Sequence, residues 1–209
     1  DGKTFTFTSY DNPYIDKEEL DEARRLLGDA VFDCEYMAVD LDGKSLNPFA
    51  FQFKQEHHVC DPIHNVRQLH ISIDFNLNPF CVIFSHIWRD SKVHCHIIDE
   101  AEIVNGSIPA MIDLIKLRYE NQLPNCRLTG DAMGKRGELG TRDNASLYIQ
   151  LQKGLNLRDF QLVLPPNPLH ENSRADVNYL LYHSVKEDDY FDFKIYKNCK
   201  GTIFDFNRV

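Results

Sequence analysis

The sequence predicts an α/β fold: one mixed central sheet, an antiparallel meander extended by parallel strands, with helices on both faces. Three observations lead there. A run of period-two alternation begins at Gln68, two further strand-like runs follow it across a short turn, and a strand, helix, strand rhythm comes later. A chain of 209 residues is long enough for one large domain burying roughly 70% of its unfolded surface. Residues 61–209 carry these signals, and residues 1–60 read as a lead-in that packs against them.

In the lead-in, Asp16 can cap a helix whose stripe is Leu20, Ala23, Leu26 and Leu27, ended by Gly28. From Gln68, the side chains of Leu69, Ile71, Ile73 and Phe75 face one way and those of His70, Ser72 and Asp74 the other. The runs 81–88 and 92–98, joined at Arg89, Asp90 and Ser91, complete a meander. A helix begins near Ser107, with Pro109 in its first turn and Ile108, Met111, Ile112, Ile115 and Tyr119 at helical spacing. CRLTGD (126–131) reads as a strand ending in an aspartate. A glycine-rich loop, a helix over 143–154, a strand over 160–165, a helix over 172–183 and a strand over 193–196 follow.

Composition narrows the function. Hydrophobic residues make up 43% of the chain, and no apolar run approaches the ~20 residues of a membrane span. The net charge of −9 excludes polyanion binding through overall basicity, so contact with nucleic acid needs a local patch. Residues 116–158 supply one, with eight basic side chains against four acidic. Six cysteines without a CxxC pair suit free thiols in a reducing compartment. The start has neither a basic nor an apolar leader region and lacks methionine, so the chain reads as part of a longer protein.

Asp74 in SIDFN and Asp131 in LTGDAMG each follow a short strand where the chain turns. An aspartate at a strand exit commonly forms a turn or caps a helix. If the two strands are neighbours, however, the carboxylates converge and repel, and hard divalent cations with oxygen ligands relieve the repulsion. The pair therefore predicts two Mg²⁺ or Mn²⁺ ions. Such ions, about 3.5 to 4 Å apart, can activate a water and stabilise the leaving oxygen of a phosphoryl displacement. The nearby GDAMGKRGELGT is not a nucleotide-binding P-loop, because Arg136 rather than Ser or Thr follows Lys135. Lys135, Arg136 and Arg174 are the expected contacts to a DNA backbone.

Other constellations compete. His57, His58, Cys60 and His64 carry zinc-type donors, as does the HCH of 94–96, but the pairs do not repeat. On a strand His94 and His96 share one face while Cys95 points to the other, which suits a half-buried sheet better than a tetrahedral cage. No GxSxG elbow is present for a serine nucleophile.

The order and spacing of several strings resemble a known family, the C-terminal nuclease domain of the large terminase subunit of tailed bacteriophages, whose fold is ribonuclease H-like. SYDNPYIDKEELDEARRLL and FDCEYMAVDLDG resemble the segment joining packaging ATPase to nuclease. SIDFNLNP and LTGDAMG resemble the metal-binding strand ends, and NPLHENSRADVNYLL and IYKNCKGTIFDFNRV the C-terminal pieces. The resemblance implies a divalent-metal-dependent endonuclease that cuts concatemeric double-stranded viral DNA. It also implies an upstream packaging ATPase domain, portal and small terminase subunit as partners, and the host cytoplasm as location. The family's third acidic ligand comes from a later helix, so it is expected beyond Val209. Asp176 is the substitute inside the chain, with Asp205 a further candidate. Two alternatives stay open: another ribonuclease H-like or junction-resolving nuclease, and a module that docks DNA or portal without cutting.

Overall fold

The computed structural model describes residues 7–27, 29–38, 48–63, 66–76, 78–135, 146–185 and 190–208. Arg136, the rest of the glycine-rich stretch to residue 145, and His64 lie outside the described residues. The chain divides into two compact units, Asp1–Phe51 with Phe206–Val209, and Gln52–Asp205. In the first, Asp16 starts helix α1 (Lys17–Leu27) by accepting the Glu18 N–H at 2.9 Å. Helix α2 (Asp29–Tyr36) stacks Phe32 on Tyr36 with ring centroids 4.8 Å apart.

The second unit is a six-stranded mixed sheet. Its strands are β1 (Val59–Cys60), β2 (Leu69–Asp74), β3 (Phe80–Arg89), β4 (Val93–Ile103), β5 (Arg127–Gly130) and β6 (Phe191–Tyr196), in the spatial order β1-β6-β4-β3-β2-β5. β2, β3 and β4 form the expected antiparallel meander. β5 runs parallel to β2, β6 parallel to β4, and β1 parallel to β6. This is an α/β fold built on one mixed sheet.

Alternation along the strands separates two faces. Leu69, Ile71, Ile73, Val82, Phe84 and Ala101 form a core with helices α4 (Ile108–Tyr119) and α5 (Leu147–Leu155). The Ser107 hydroxyl starts α4 by accepting the Ala110 N–H, and Ser146 starts α5 by accepting that of Ile149. The opposite face receives helices α6 (His170–Ser184) and α7 (Lys200–Arg208). There His58, at the end of the short helix α3 (Gln55–His58), contacts the Phe193 ring edge and the Leu181 carbonyl. The Glu100 carboxylate starts α7 by accepting from the N–H of Gly201 and of Thr202, each at 2.7 Å, and from the Thr202 hydroxyl at 2.6 Å.

The register of β3 on β4 shifts between Phe84 and Ser85: Phe84 faces Asp99, whereas Ser85 faces Ile97. One extra β4 residue is accommodated there as a bulge. After it, Asp99 meets Arg118 and Tyr119 of α4, while Glu100 turns to α7.

One expectation needs correction. The strand expected over 160–165 is a 3-10 turn, Asp159–Gln161, followed by a single bridge from Leu162 to Leu128. The cause is Gln161, whose buried amide donates to the main-chain oxygens of Leu123 at 2.8 Å and Cys126 at 3.2 Å and draws the chain inward before it can pair. β1 lies in the stretch assigned to the lead-in, where its two residues give no periodicity to read. Cys60, Cys81, Cys95, Cys126 and Cys199 are free thiols. Among the described residues no helix is long and apolar enough to cross a membrane.

Candidate functional site

The parallel register of β2 and β5 pairs Ile73 with Gly130, so Asp74 and Asp131 are the next residues on neighbouring strands. The Asp131 N–H donates to the Ile73 carbonyl at 3.1 Å, which holds the two strand ends together. Gly130 makes this approach possible. Its φ is +146°, and an added Cβ would fall 2.0 Å from the Ile73 carbonyl oxygen.

Each aspartate has a local partner that fixes it. The Asn76 side-chain amide donates to Asp74 Oδ2 at 2.6 Å. Asn167 donates to Asp131 Oδ1 at 2.7 Å and accepts the Ala132 N–H at 3.0 Å. The Tyr148 hydroxyl reaches the Asp131 carbonyl oxygen at 3.0 Å, and Phe75 packs edge-on against the Tyr148 ring. Burial, and then the Asp131 charge, push the Asp74 carboxyl above its usual range; a hydrogen bond from the Asn76 main-chain N–H pulls the other way. Two carboxylates that disfavour each other's charge, with oxygen as the donor atom, fit a hard divalent cation.

Further acids extend the group. Asp74 pairs with Cys81 of β3, and Cys81 with Glu102 of β4, so these three share a face in one row across the sheet. Burial raises the Cys81 thiol pKa, and Glu102, Asp74, Asp205 and Glu100 raise it further. Asp205, on α7, has a carboxyl held up by burial and by Glu100. α7 thus brings an acid to the α7 side of the row.

The other sequence candidates fall elsewhere. Asp176 and Arg174 lie on α6, which packs on β6. β6 is three strand spacings from β2, about 14 Å. Asp176 is exposed, and the structure does not bring it to the pair. Lys135 sits one turn beyond Asp131, its ammonium donating to the Leu164 and Pro165 carbonyls. Arg136 is not described.

Asn167 escaped sequence reasoning, since PPNP (165–168) reads only as a stiff break. The prolines that fix that backbone were the available signal. Asn167→Ala is expected to weaken Mn²⁺ binding at the pair about tenfold, the usual cost of losing a partner that orients a ligand. Calorimetry checks this, and an unchanged affinity would count against the clamp.

No family model and no curated protein matches the sequence. Among solved structures, the large terminase from a thermophilic bacteriophage is similar, in complex with ATP-gamma-S, with a TM-score of 0.57 and 13% identity over 96% of this chain and 46% of that one. A second structure of the same terminase gives 0.56 and 16%, with the same coverage. The g2p large terminase nuclease domain from bacteriophage SPP1, with bound Mn, has a TM-score of 0.42 and 12% identity over 71% of this chain and 76% of that one. The chain spans about half the length of the thermophilic phage's terminase, and what it shares with that terminase, at such low identity, is the fold.

Proposed function

We propose that the chain is the endonuclease part of a terminase that packages viral double-stranded DNA. The observation that carries this reading is the pair Asp74 and Asp131, side by side at the ends of parallel β2 and β5, with the Asp74 carboxyl held up by burial and by its neighbour. The fold shared with the large terminase of the thermophilic phage supports the same class.

Asp74 and Asp131 hold two Mg²⁺ or Mn²⁺ ions, and Asp205 from α7, on the same face of the sheet, is a further acid to share the task. Bound divalent ions supply an activated water and charge neutralisation at the leaving oxygen. Asn76 and Asn167 keep the two carboxylates aimed, and Tyr148 anchors the main chain beneath Asp131. Lys135, one turn beyond Asp131, and Arg136, which follows it in sequence, contact the DNA backbone; Arg174, farther off, serves a flanking stretch. The partners are DNA, an ATPase domain upstream in the same protein, portal and small terminase subunit, in the host cytoplasm.

Supercoiled plasmid, an RNA–DNA hybrid and a four-way junction are to be incubated with the protein and Mn²⁺ side by side. Plasmid cleavage, lost in Asp131→Asn while circular dichroism stays native, is the expected result. Preference for hybrid or junction would replace the terminase role with another nuclease role. DNA binding without any cutting, unaffected by Asp131→Asn, would overturn the enzyme reading.

A further inference from the structure

A second group of donors lies on the α4 side of the sheet, away from the aspartate pair. His94 and His96 project to one face of β4, and the parallel register places Asp192 of β6 directly opposite His94. One donor atom from each of the three side chains lies within 4.8 Å of the others. Asp192 Oδ2 is 2.7 Å from His94 Nδ1 and 2.8 Å from His96 Nε2. Such i, i+2 histidines on a strand, completed by a carboxylate from its neighbour, place three donors on rigid elements.

The His94 ring is also held from its far side. His94 Nε2 lies 2.9 Å from Asp90 Oδ1. A carboxylate only accepts, so Nε2 donates to Asp90. Asp90 then plays the part of the carboxylate that holds a ligating imidazole by its far nitrogen. Asp90 is itself fixed, accepting the Lys92 N–H at 3.0 Å. Trp88 stacks on the His94 ring, centroids 4.3 Å apart and planes within 2°, so the ring cannot swing away. The Asp192 side chain is 24% exposed and His96 only 4%, leaving one open side for a water ligand.

We propose that His94, His96 and Asp192 bind a divalent transition ion of the zinc class, with solvent in the fourth position. Two imidazoles and one carboxylate match that class rather than the hard, all-oxygen set preferred by Mg²⁺. The ion ties β6 to β4, two strands nearly a hundred residues apart in sequence, and so braces the C-terminal side of the sheet.

Trp88 is the chain's one tryptophan, which makes it a local reporter. The full chain, stripped with chelator, is to be titrated with Co²⁺ while Trp88 fluorescence and visible absorption are followed. Saturable quenching at one equivalent, with a four-coordinate Co²⁺ spectrum and reversal by Zn²⁺, is the expected result. Asp192→Asn and His94→Gln should each weaken binding about tenfold or more; either variant suffices if the other does not fold by circular dichroism. An Asp74→Asn/Asp131→Asn double variant should quench like the parent, which keeps this outcome independent of the nuclease reading. Absence of quenching in the parent would overturn the proposal. So would quenching that survives in the folded variants, since the ion would then sit elsewhere. A Co²⁺-insensitive fluorescence that instead shows one pH transition, lost in Asp192→Asn, would identify a His94 imidazolium between two carboxylates and likewise overturn it.

Discussion

Gly130→Ala is expected to lower the unfolding midpoint by about 10 °C, the largest stability effect of any single methyl group at this site. Two costs add. A side chain at φ +146° is strained by about 1–3 kcal/mol wherever it occurs. Here the new Cβ also meets main-chain atoms of Ile73, 2.0 Å from the oxygen and 2.8 Å from the nitrogen, and backbone cannot rotate aside as a side chain would. β5 must then move off β2, breaking the bond from the Asp131 N–H to the Ile73 carbonyl. Thermal unfolding followed by circular dichroism reads this directly, and a shift under 2 °C would mean that β5 tolerates the displacement. At low temperature, where the variant remains folded, plasmid cleavage should fall as well, because the displacement separates the two carboxylates.

Asp74→Asn is expected to move stability and activity in opposite directions. Mn²⁺-dependent plasmid cleavage should drop at least about a hundredfold, since the proposed metal centre would lose one of its two aspartates. The metal-free protein should meanwhile melt about 2 °C higher at pH 7. The sign follows from the raised Asp74 carboxyl, caused by burial and then by Asp131. A group that holds its proton more tightly folded than unfolded favours folding at low pH, and that advantage is lost as pH rises through the raised value. Above it the ionised pair is a standing penalty, which the neutral amide removes. The gain should therefore vanish below pH ~3.9, where the unfolded carboxyl is protonated too. Melting curves at pH 3 to 8 for both proteins test this. A variant less stable than the parent at pH 7 would mean that Asp74 is a turn former whose ionised form the fold requires.

Local pattern made much of this molecule legible. The alternation of Leu69, Ile71 and Ile73 against His70, Ser72 and Asp74 gave β2 and the direction of its aspartate, because a strand half buried on one face must alternate. Ser107 and Pro109 marked the start of α4. The neighbouring placement of Asp74 and Asp131 was open to inference because both sit at strand exits. What stayed hidden are contacts made by side chains across long separations. Asn167 reaches Asp131 from a proline-rich segment 36 residues away, and Asp192 reaches His94 across 98. Neither distance leaves a trace in periodicity. The absent strand over 160–165 shows the converse: FQLVLP has strand composition, yet two hydrogen bonds from one buried Gln161 amide override it.

The irregularity at Ile97 to Asp99 decides which chemistry each half of β4 serves. Even-numbered side chains of an unbroken ribbon would all lie with His96, and Glu100 and Glu102 would then crowd the imidazoles. Inserting one residue inverts the phase halfway along, so a single strand presents nitrogen donors to one compartment and oxygen donors to the other. Two environments of different hardness can thus be kept chemically insulated by the thickness of one polypeptide layer.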